Sequence, residues 1–189
     1  MGARWWTQAR GTIGLVGLLA AVYAAEVALE APGDARLLMK MGAFPNSAVV
    51  EGQWWRIFTC AFLHLSWWHL VANLALLGWA GHAVESRLGT ARWAAVAVAG
   101  LIVPGAMLLL VRTVSPAEGV TAGATAVACA LLAAAVVLLR RRRRRRAGAR
   151  LWIAAAGAAV AFFLPGLTLL GHASGLLTGA LLATIFAGI

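Results

Sequence analysis

Charged side chains are scarce in this sequence. Only 12% of its 189 residues are charged, against about 25% in an ordinary soluble domain. In contrast, 62% are hydrophobic and the mean hydropathy is +0.86. This composition excludes an ordinary soluble protein and indicates an integral membrane protein. The length suits one compact domain of several membrane spans, and we expect no separate soluble module.

Cysteine is also scarce. Cys60 and Cys129 fall in different apolar segments, with neither the spacing of a metal site nor a disulfide framework. We interpret both as core residues, because a free cysteine behaves as a small buried hydrophobe. No metal or redox centre is therefore expected at these thiols.

Hydropathy predicts an all-α, polytopic fold with six membrane spans. The predicted spans are residues 12–29, 67–84, 93–111, 120–139, 151–164 and 167–186. The fifth is the weakest prediction, because its residues rise only about 21 Å and Pro165 and Gly166 interrupt the run. Residues 1–11 are predicted as a cytoplasmic tail and residues 12–189 as a single membrane domain. Glu26 and a poor cleavage pattern favour a retained first helix over a signal peptide.

Positive charge is distributed unevenly between the loops. With a cytoplasmic N-terminus, twelve of the 16 basic residues lie on the cytoplasmic side: Arg4, Arg10, Arg87, Arg92, the run Arg140 to Arg146, and Arg150. Five of the six acids lie on the other side: Glu26, Glu30, Asp34, Glu51 and Glu118. The positive-inside rule therefore predicts that both termini are cytoplasmic. The alanine- and arginine-rich composition suggests a bacterial plasma membrane.

The arginine run Arg140 to Arg146 has two interpretations. It is typical of a topology anchor close to anionic lipid headgroups. An RNA-binding segment would need aromatic side chains to stack on bases, and none interrupts the run. We therefore expect lipid headgroups and no nucleic acid as its partners.

Four polar side chains share one predicted depth in the membrane: His69, Asn73, Thr125 and His172. Thr125 and His172 each lie five residues into an inward-running span, about 7 or 8 Å below the outer boundary. His69 and Asn73 lie about 3 to 9 Å down the second span by the same arithmetic. Polar groups are costly at this depth and usually serve a function.

Small residues favour close contact between spans four and six. They recur at the small-xxx-small spacing as Gly171, Gly175 and Gly179 in span six, and as Ala122, Ala126, Ala130 and Ala134 in span four. Such a pairing would bring Thr125 within reach of His172. This arrangement fits a hydroxyl nucleophile with a histidine base, while His69 and Asn73 donate hydrogen bonds to a developing oxyanion.

From Glu51 to the C-terminus, the chain resembles the rhomboid intramembrane proteases. The segment Gly52-Gln53-Trp54-Trp55-Arg56 is similar to the tryptophan–arginine element of the family's first outer loop. The second-helix motif is matched by His64, His69, Leu70 and Asn73, and the pattern that closes this helix by Gly81, Glu85, Arg87 and Gly89. The sixth-helix motif is matched by His172, Gly175 and Gly179.

This resemblance implies a six-helix bundle that hydrolyses peptide bonds of transmembrane substrates with a serine–histidine dyad, without metal or cofactor. His172 would take the proton from the nucleophile, and His69 and Asn73 would stabilise the oxyanion. A substrate helix must unwind locally before its carbonyl can be attacked. Water from the outer side would then hydrolyse the acyl-enzyme.

The sequence departs from the family pattern at the nucleophile. The family motif is Gly-x-Ser-Gly, whereas this chain has Gly123-Ala124-Thr125-Ala126. Ser174 also replaces the first glycine after the catalytic histidine. Threonine keeps an Oγ, but its methyl group restricts χ1, and Ala126 adds a Cβ at a close-packed turn.

Alternative hypotheses therefore remain open. Thr125 is either a nucleophile or a residue bonded to its own helix backbone. Accordingly, the chain is either a protease or a pseudoprotease that binds transmembrane clients as a chaperone or trafficking factor. A small transporter is a third alternative, but neither inverted repeats nor ionisable groups near the midplane are present in the sequence to favour it.

Overall fold

The computed structural model describes residues 9–45, 52–114, 120–140 and 169–188. Five long helices account for most of these residues. We number them α1 (Arg10–Ala28), α4 (Trp67–Leu88), α5 (Thr90–Val114), α6 (Thr125–Arg140) and α7 (Leu169–Ala187). They correspond to predicted spans one to four and span six. The fifth predicted span, 151–164, lies outside the described residues, as does most of the arginine run, so the six-helix count remains a prediction.

Three of these helices are each long and apolar enough to cross a membrane, over Arg10–Ala28, Thr90–Val111 and Leu170–Ala187. Helix α4 forms a fourth candidate span together with the short helical segment that precedes it, Arg56–Phe62, at an angle of 93°. Helix α6 is shorter but apolar over Thr125–Leu139. The described part of the chain is therefore built as a bundle of membrane helices.

Several short elements lie between α1 and α4, and hydropathy did not predict them. They are α2 (Ala35–Met41), strand β1 (Phe44–Pro45), α3 (Arg56–Thr59) and a 3₁₀ turn (Cys60–Phe62). Asp34 caps α2 by accepting the backbone N–H groups of Leu37 and Arg36, which lowers the pKa of its carboxyl group below the usual range.

Arg56 ties this segment together. Its guanidinium donates to the carbonyl oxygens of Met39 and Ala43 at 2.5 and 2.8 Å, and to the side chain of Gln53. A planar guanidinium with several donors can hold carbonyls from separate loops at once. Arg56, from the tryptophan–arginine element of the sequence, therefore joins the start of α3 to the end of α2 and the residues after it.

The start of the fourth span differs from the prediction. The sequence predicts a helix from residue 120, but α6 begins at Thr125, and Val120–Thr121 instead forms strand β2, antiparallel to β1. Gly123 has a φ of +125°, a backbone conformation that a helix cannot contain. Thr125 is therefore the first residue of α6 rather than a residue five positions inside it.

Helix α6 lies at the centre of the bundle, against α4, α5 and α7. Its small residues allow this close packing. A Cβ added at Gly175 of α7 would lie only 2.7 Å from the carbonyl oxygen of Ala126, and one at Gly179 would overlap the carbonyl of Ala130. The glycine spacing on α7 therefore brings its backbone into contact with that of α6.

Glu85, near the end of α4, fixes the other end of the bundle. Its carboxylate accepts the backbone N–H groups of Gly11 and Thr12 and the hydroxyl groups of Thr12 and Thr90, at 2.8 to 2.9 Å. A carboxylate is favourable at the N-terminus of a helix, where backbone N–H groups lack helical partners. This contact joins the start of α1, the end of α4 and the start of α5.

The contacts also define the directions of the helices. Glu85 brings the start of α1 to the end of α4, and Arg92 near the start of α5 donates to the carbonyl of Phe186 at the end of α7. Helix α1 is therefore antiparallel to α4, and α5 is antiparallel to α7, as alternating membrane spans require. Which side is cytoplasmic stays a prediction.

Candidate active site

The four polar side chains predicted at one depth are all buried in the structure. Their exposed fractions are 2% for His69, 1% for Asn73, 1% for Thr125 and 1% for His172. They come from the first two turns of α4 and the first turns of α6 and α7. Buried polar groups require partners, so their contacts indicate what the site can do.

Thr125 contacts a histidine of a neighbouring helix. Its Oγ1 lies 3.0 Å from Nε2 of His69, within hydrogen-bond distance for either tautomer of the ring. The alternative that Thr125 bonds only its own helix backbone is therefore less favoured by the geometry, because the hydroxyl is directed toward α4.

The segment before Thr125 creates the space for this contact. A Cβ added at Gly123 would lie 2.6 Å from Nε2 of His69, so only glycine leaves room for the ring. The backbone N–H of Gly123 donates to the carbonyl of Cys60 at 2.8 Å. A hydrogen bond to the 3₁₀ turn thus fixes the backbone of Gly123 in its positive-φ conformation.

Asn73 lies one turn after His69 on the same face of α4. Its Nδ2 donates to the carbonyl oxygen of His69 at 3.1 Å, and the hydroxyl of Ser66 caps the helix by accepting the N–H of His69. The start of α4 is therefore fixed by two side chains, which limits the positions that His69 can take.

His172 lies in the first turn of α7, the helix whose glycines contact α6. Gly175, three residues after His172, packs on the carbonyl of Ala126. The structure therefore brings the turn that carries His172 against the turn that carries Thr125, as the small-residue spacing predicts.

A small cavity of about 60 Å³ lies near the start of α6. Its lining includes Cys60, Gly105, Ala122, Gly123, Ala126 and Gly171. Its volume exceeds the roughly 10 to 15 Å³ that a water molecule needs, but its lining is largely apolar and offers few hydrogen-bond partners for water.

The two departures from the family pattern other than Thr125 have different surroundings. Ala126 is half-buried and contributes to the wall of this cavity, so its methyl group adds bulk next to Thr125. Ser174 donates its hydroxyl to the carbonyl of Gly171 at 2.9 Å, within its own helix. Its polarity is therefore satisfied without a partner in another helix.

The cysteines are buried, as predicted. Cys60 and Cys129 are both free thiols, and Cys60 acts at the site through its backbone carbonyl. Among the residues that the structure describes, no group of histidine, cysteine and acidic side chains has the arrangement of a metal site.

Sequence reasoning missed one residue near the site. The sequence places Glu26 of α1 on the outer side of the membrane without linking it to the site, but it is completely buried, and both of its carboxylate oxygens lie 3.1 Å from the backbone N of His64. His64 is also completely buried, and its ring meets that of His69 edge to face, with centroids 5.2 Å apart. The signal was an acidic residue within an apolar span.

Comparisons with known proteins agree with these features. The family model for the Rhomboid domain matches residues 51–189. The chain is 36% identical to RHOMBOID-like protein 5 of Arabidopsis thaliana over 96 residues, 50% of this chain and 30% of that protein. It is 31% identical to Rhomboid protease GlpG of Enterobacter sp. (strain 638) over 88 residues, 47% and 32% of the two chains.

A third relative is Rhomboid protease GluP of Bacillus subtilis, 34% identical over 82 residues, which are 43% of this chain and 16% of GluP. The matched segments thus cover about a third or less of each of these relatives.

Proposed function

Because this multi-pass membrane protein belongs to the rhomboid family of intramembrane proteases, we propose that it cleaves transmembrane segments of other membrane proteins near the outer leaflet. Thr125 is the nucleophile and His172 the general base. The observation that carries this proposal is the buried contact of 3.0 Å between Thr125 Oγ1 and His69 Nε2. It supports a buried hydroxyl held by a histidine of a neighbouring helix, and the packing of α7 against the first turn of α6 supports the role of His172.

The reaction begins when a substrate helix enters from the bilayer and unwinds locally, since its backbone hydrogen bonds must open to expose a carbonyl. His172 takes the proton of the Thr125 hydroxyl as Oγ attacks the carbonyl carbon. The carbonyl oxygen becomes an oxyanion. His69 and Asn73 are the side chains in this site whose N–H groups can donate to it.

Collapse of this intermediate breaks the peptide C–N bond, and His172 gives its proton to the leaving amine. The acyl group then remains on Thr125. A water molecule next attacks the ester, transferring its proton to His172, and Thr125 leaves as a hydroxyl with that proton.

A second candidate function follows from Ala126. Ala126 adds a Cβ directly after the proposed nucleophile, at the wall of the cavity near the start of α6, and the methyl group of Thr125 restricts its χ1. A pseudoprotease that binds transmembrane clients without cutting them would tolerate both. In either case, we expect the protein in a bacterial plasma membrane with cytoplasmic termini, and Arg140 to Arg146 close to anionic headgroups.

Cleavage of a model transmembrane substrate in liposomes tests the proposal. The variants are Thr125→Ala, His172→Ala and Thr125→Ser. Thr178→Ala is the matched control, because the Thr178 hydroxyl donates to the carbonyl of Ser174 within α7, away from the site. We expect wild type and Thr178→Ala to cleave, and Thr125→Ala and His172→Ala to be inactive.

Two other outcomes contradict the proposal. If wild type is inert and Thr125→Ser cleaves, the protein is a pseudoprotease with an intact site. If none of the variants cleaves but the purified protein captures the substrate, client binding replaces proteolysis as its function.

A further inference from the structure

The buried carboxylate of Glu26 contacts the site through the backbone. It is completely buried in α1, where a carboxylate is costly unless it is hydrogen-bonded. Both of its oxygens lie 3.1 Å from the backbone N of His64. The two carboxylate oxygens therefore share the backbone N–H of His64, and this contact fixes the position of the His64 peptide group.

His64 lies where the chain bends sharply. The 3₁₀ turn ends at Phe62 and α4 begins at Trp67, and the two helical segments meet at an angle of 93°. The residues between them cannot use a helical hydrogen-bond ladder to fix their backbone. The contact from Glu26 therefore supplies a fixed point within the bend.

The His64 ring then contacts the His69 ring. Their centroids are 5.2 Å apart with an interplanar angle of 68°, an edge-to-face arrangement that restricts both rings. Gly123 lies against the same His69 ring, so closely that it has no space for a Cβ. His69 is thus held between His64 and Gly123, with its Nε2 directed to Thr125.

We infer that Glu26 is a positioning residue for the active site, which acts through the backbone of His64 to hold the His69 ring against Thr125. The catalytic part of this inference rests on the proposed function, whereas the geometric part does not. Helix α1 is already joined to α4 and α5 at its other end by Glu85. The Glu26 contact is therefore not the sole link between α1 and the bundle.

The test compares Glu26→Ala, which removes both acceptors, with Glu26→Gln, which keeps one. The matched control is Glu30→Gln, since Glu30 follows one turn later and is exposed. The first readout is the ¹⁵N NMR spectrum of the histidine rings. The protein has only 4 histidines, and the His69 signals are identified by their loss in His69→Gln.

We expect the ring nitrogen signals of His69 to shift in Glu26→Ala, to shift less in Glu26→Gln, and to be unchanged in Glu30→Gln. The second readout is cleavage kinetics. Because a small misplacement of an active-site group is costly, kcat should fall about tenfold in Glu26→Ala with KM within about twofold. Glu26→Gln should recover part of that loss.

The inference is overturned if a folded Glu26→Ala or Glu26→Gln protein gives the wild-type His69 signals. It is also overturned if the variants lower thermal stability alone and leave kcat unchanged. If Glu26→Ala does not fold, the His69 signals and kcat of Glu26→Gln, compared with those of Glu30→Gln, decide whether the inference holds. If wild type cleaves nothing, the proposed function fails, and the NMR comparison still decides whether Glu26 positions His69.

Discussion

Gly123 faces the imidazole of His69 so closely that a methyl group at this position would lie 2.6 Å from Nε2. The same nitrogen lies 3.0 Å from the hydroxyl of Thr125. One backbone position two residues before the proposed nucleophile therefore controls whether the histidine can reach it.

Replacing Gly123 with alanine should separate His69 from Thr125. The added Cβ meets the ring, and the φ of +125° is unfavourable for any residue with a Cβ, so we expect the free energy of unfolding to fall by about 1 to 3 kcal/mol. Cleavage should also be lost. The measurements are unfolding in mixed micelles and the cleavage assay in liposomes.

Gly78→Ala is the control for this variant. Gly78 lies within α4 and has open space where a Cβ would be placed, so alanine should raise stability by up to about 1 kcal/mol. If Gly123→Ala is as stable as Gly78→Ala, His69 does not occupy the position described.

Removing the methyl group of Ala126 should favour catalysis. Ala126 directly follows Thr125 in α6 and lines the cavity near the start of this helix, so its Cβ adds bulk close to the proposed nucleophile. We expect Thr125→Ser/Ala126→Gly to cleave about tenfold faster than Thr125→Ser, a change in barrier of about 1.4 kcal/mol.

Ala133→Gly in the Thr125→Ser background is the control, because it introduces glycine into the same helix away from the cavity and carries a similar loss of helix propensity. Equal rates for the two double variants would contradict a role for the Ala126 methyl group.

The close approach of α7 to α6 should make Gly179 sensitive to substitution. A Cβ at Gly179 would overlap the carbonyl of Ala130, and backbone atoms cannot move aside as a flexible side chain can. We expect Gly179→Ala to lower the free energy of unfolding by about 1 to 3 kcal/mol. Gly17→Ala, in α1 with open space around it, should not be destabilised. Equal stabilities in the same micelles would refute the close packing.

Much of the bundle was predictable because its helices are largely apolar. The predicted spans 67–84 and 93–111 fall within α4 and α5, and the depth of His69 and Asn73 follows from their place near the start of α4. Long apolar runs leave few alternatives in a bilayer, since every backbone group must find an internal partner. The family resemblance from Glu51 onward was also correct.

The irregular segments were not predictable in the same way. The start of α6 at Thr125 depends on the pairing of β2 with β1, and on the conformation of Gly123. Hydropathy cannot detect either, because Val120 and Thr121 are compatible with strand and helix. Likewise, Glu26 contacts a backbone N–H 38 positions away in sequence, and a backbone partner leaves no pattern in the side chains.

Glu85 should be among the residues most important for stability. Its carboxylate accepts two backbone N–H groups at the start of α1 and the hydroxyls of Thr12 and Thr90. In Glu85→Gln, one oxygen becomes an NH₂ group that faces donors, so at least one charge-assisted hydrogen bond is lost and a donor is left without its acceptor. We expect the free energy of unfolding to fall by about 2 to 3 kcal/mol. Glu30→Gln makes the same chemical change at an exposed position and should alter stability by less than about 0.5 kcal/mol. Equal unfolding curves for the two variants would show that Glu85 does not join α1, α4 and α5.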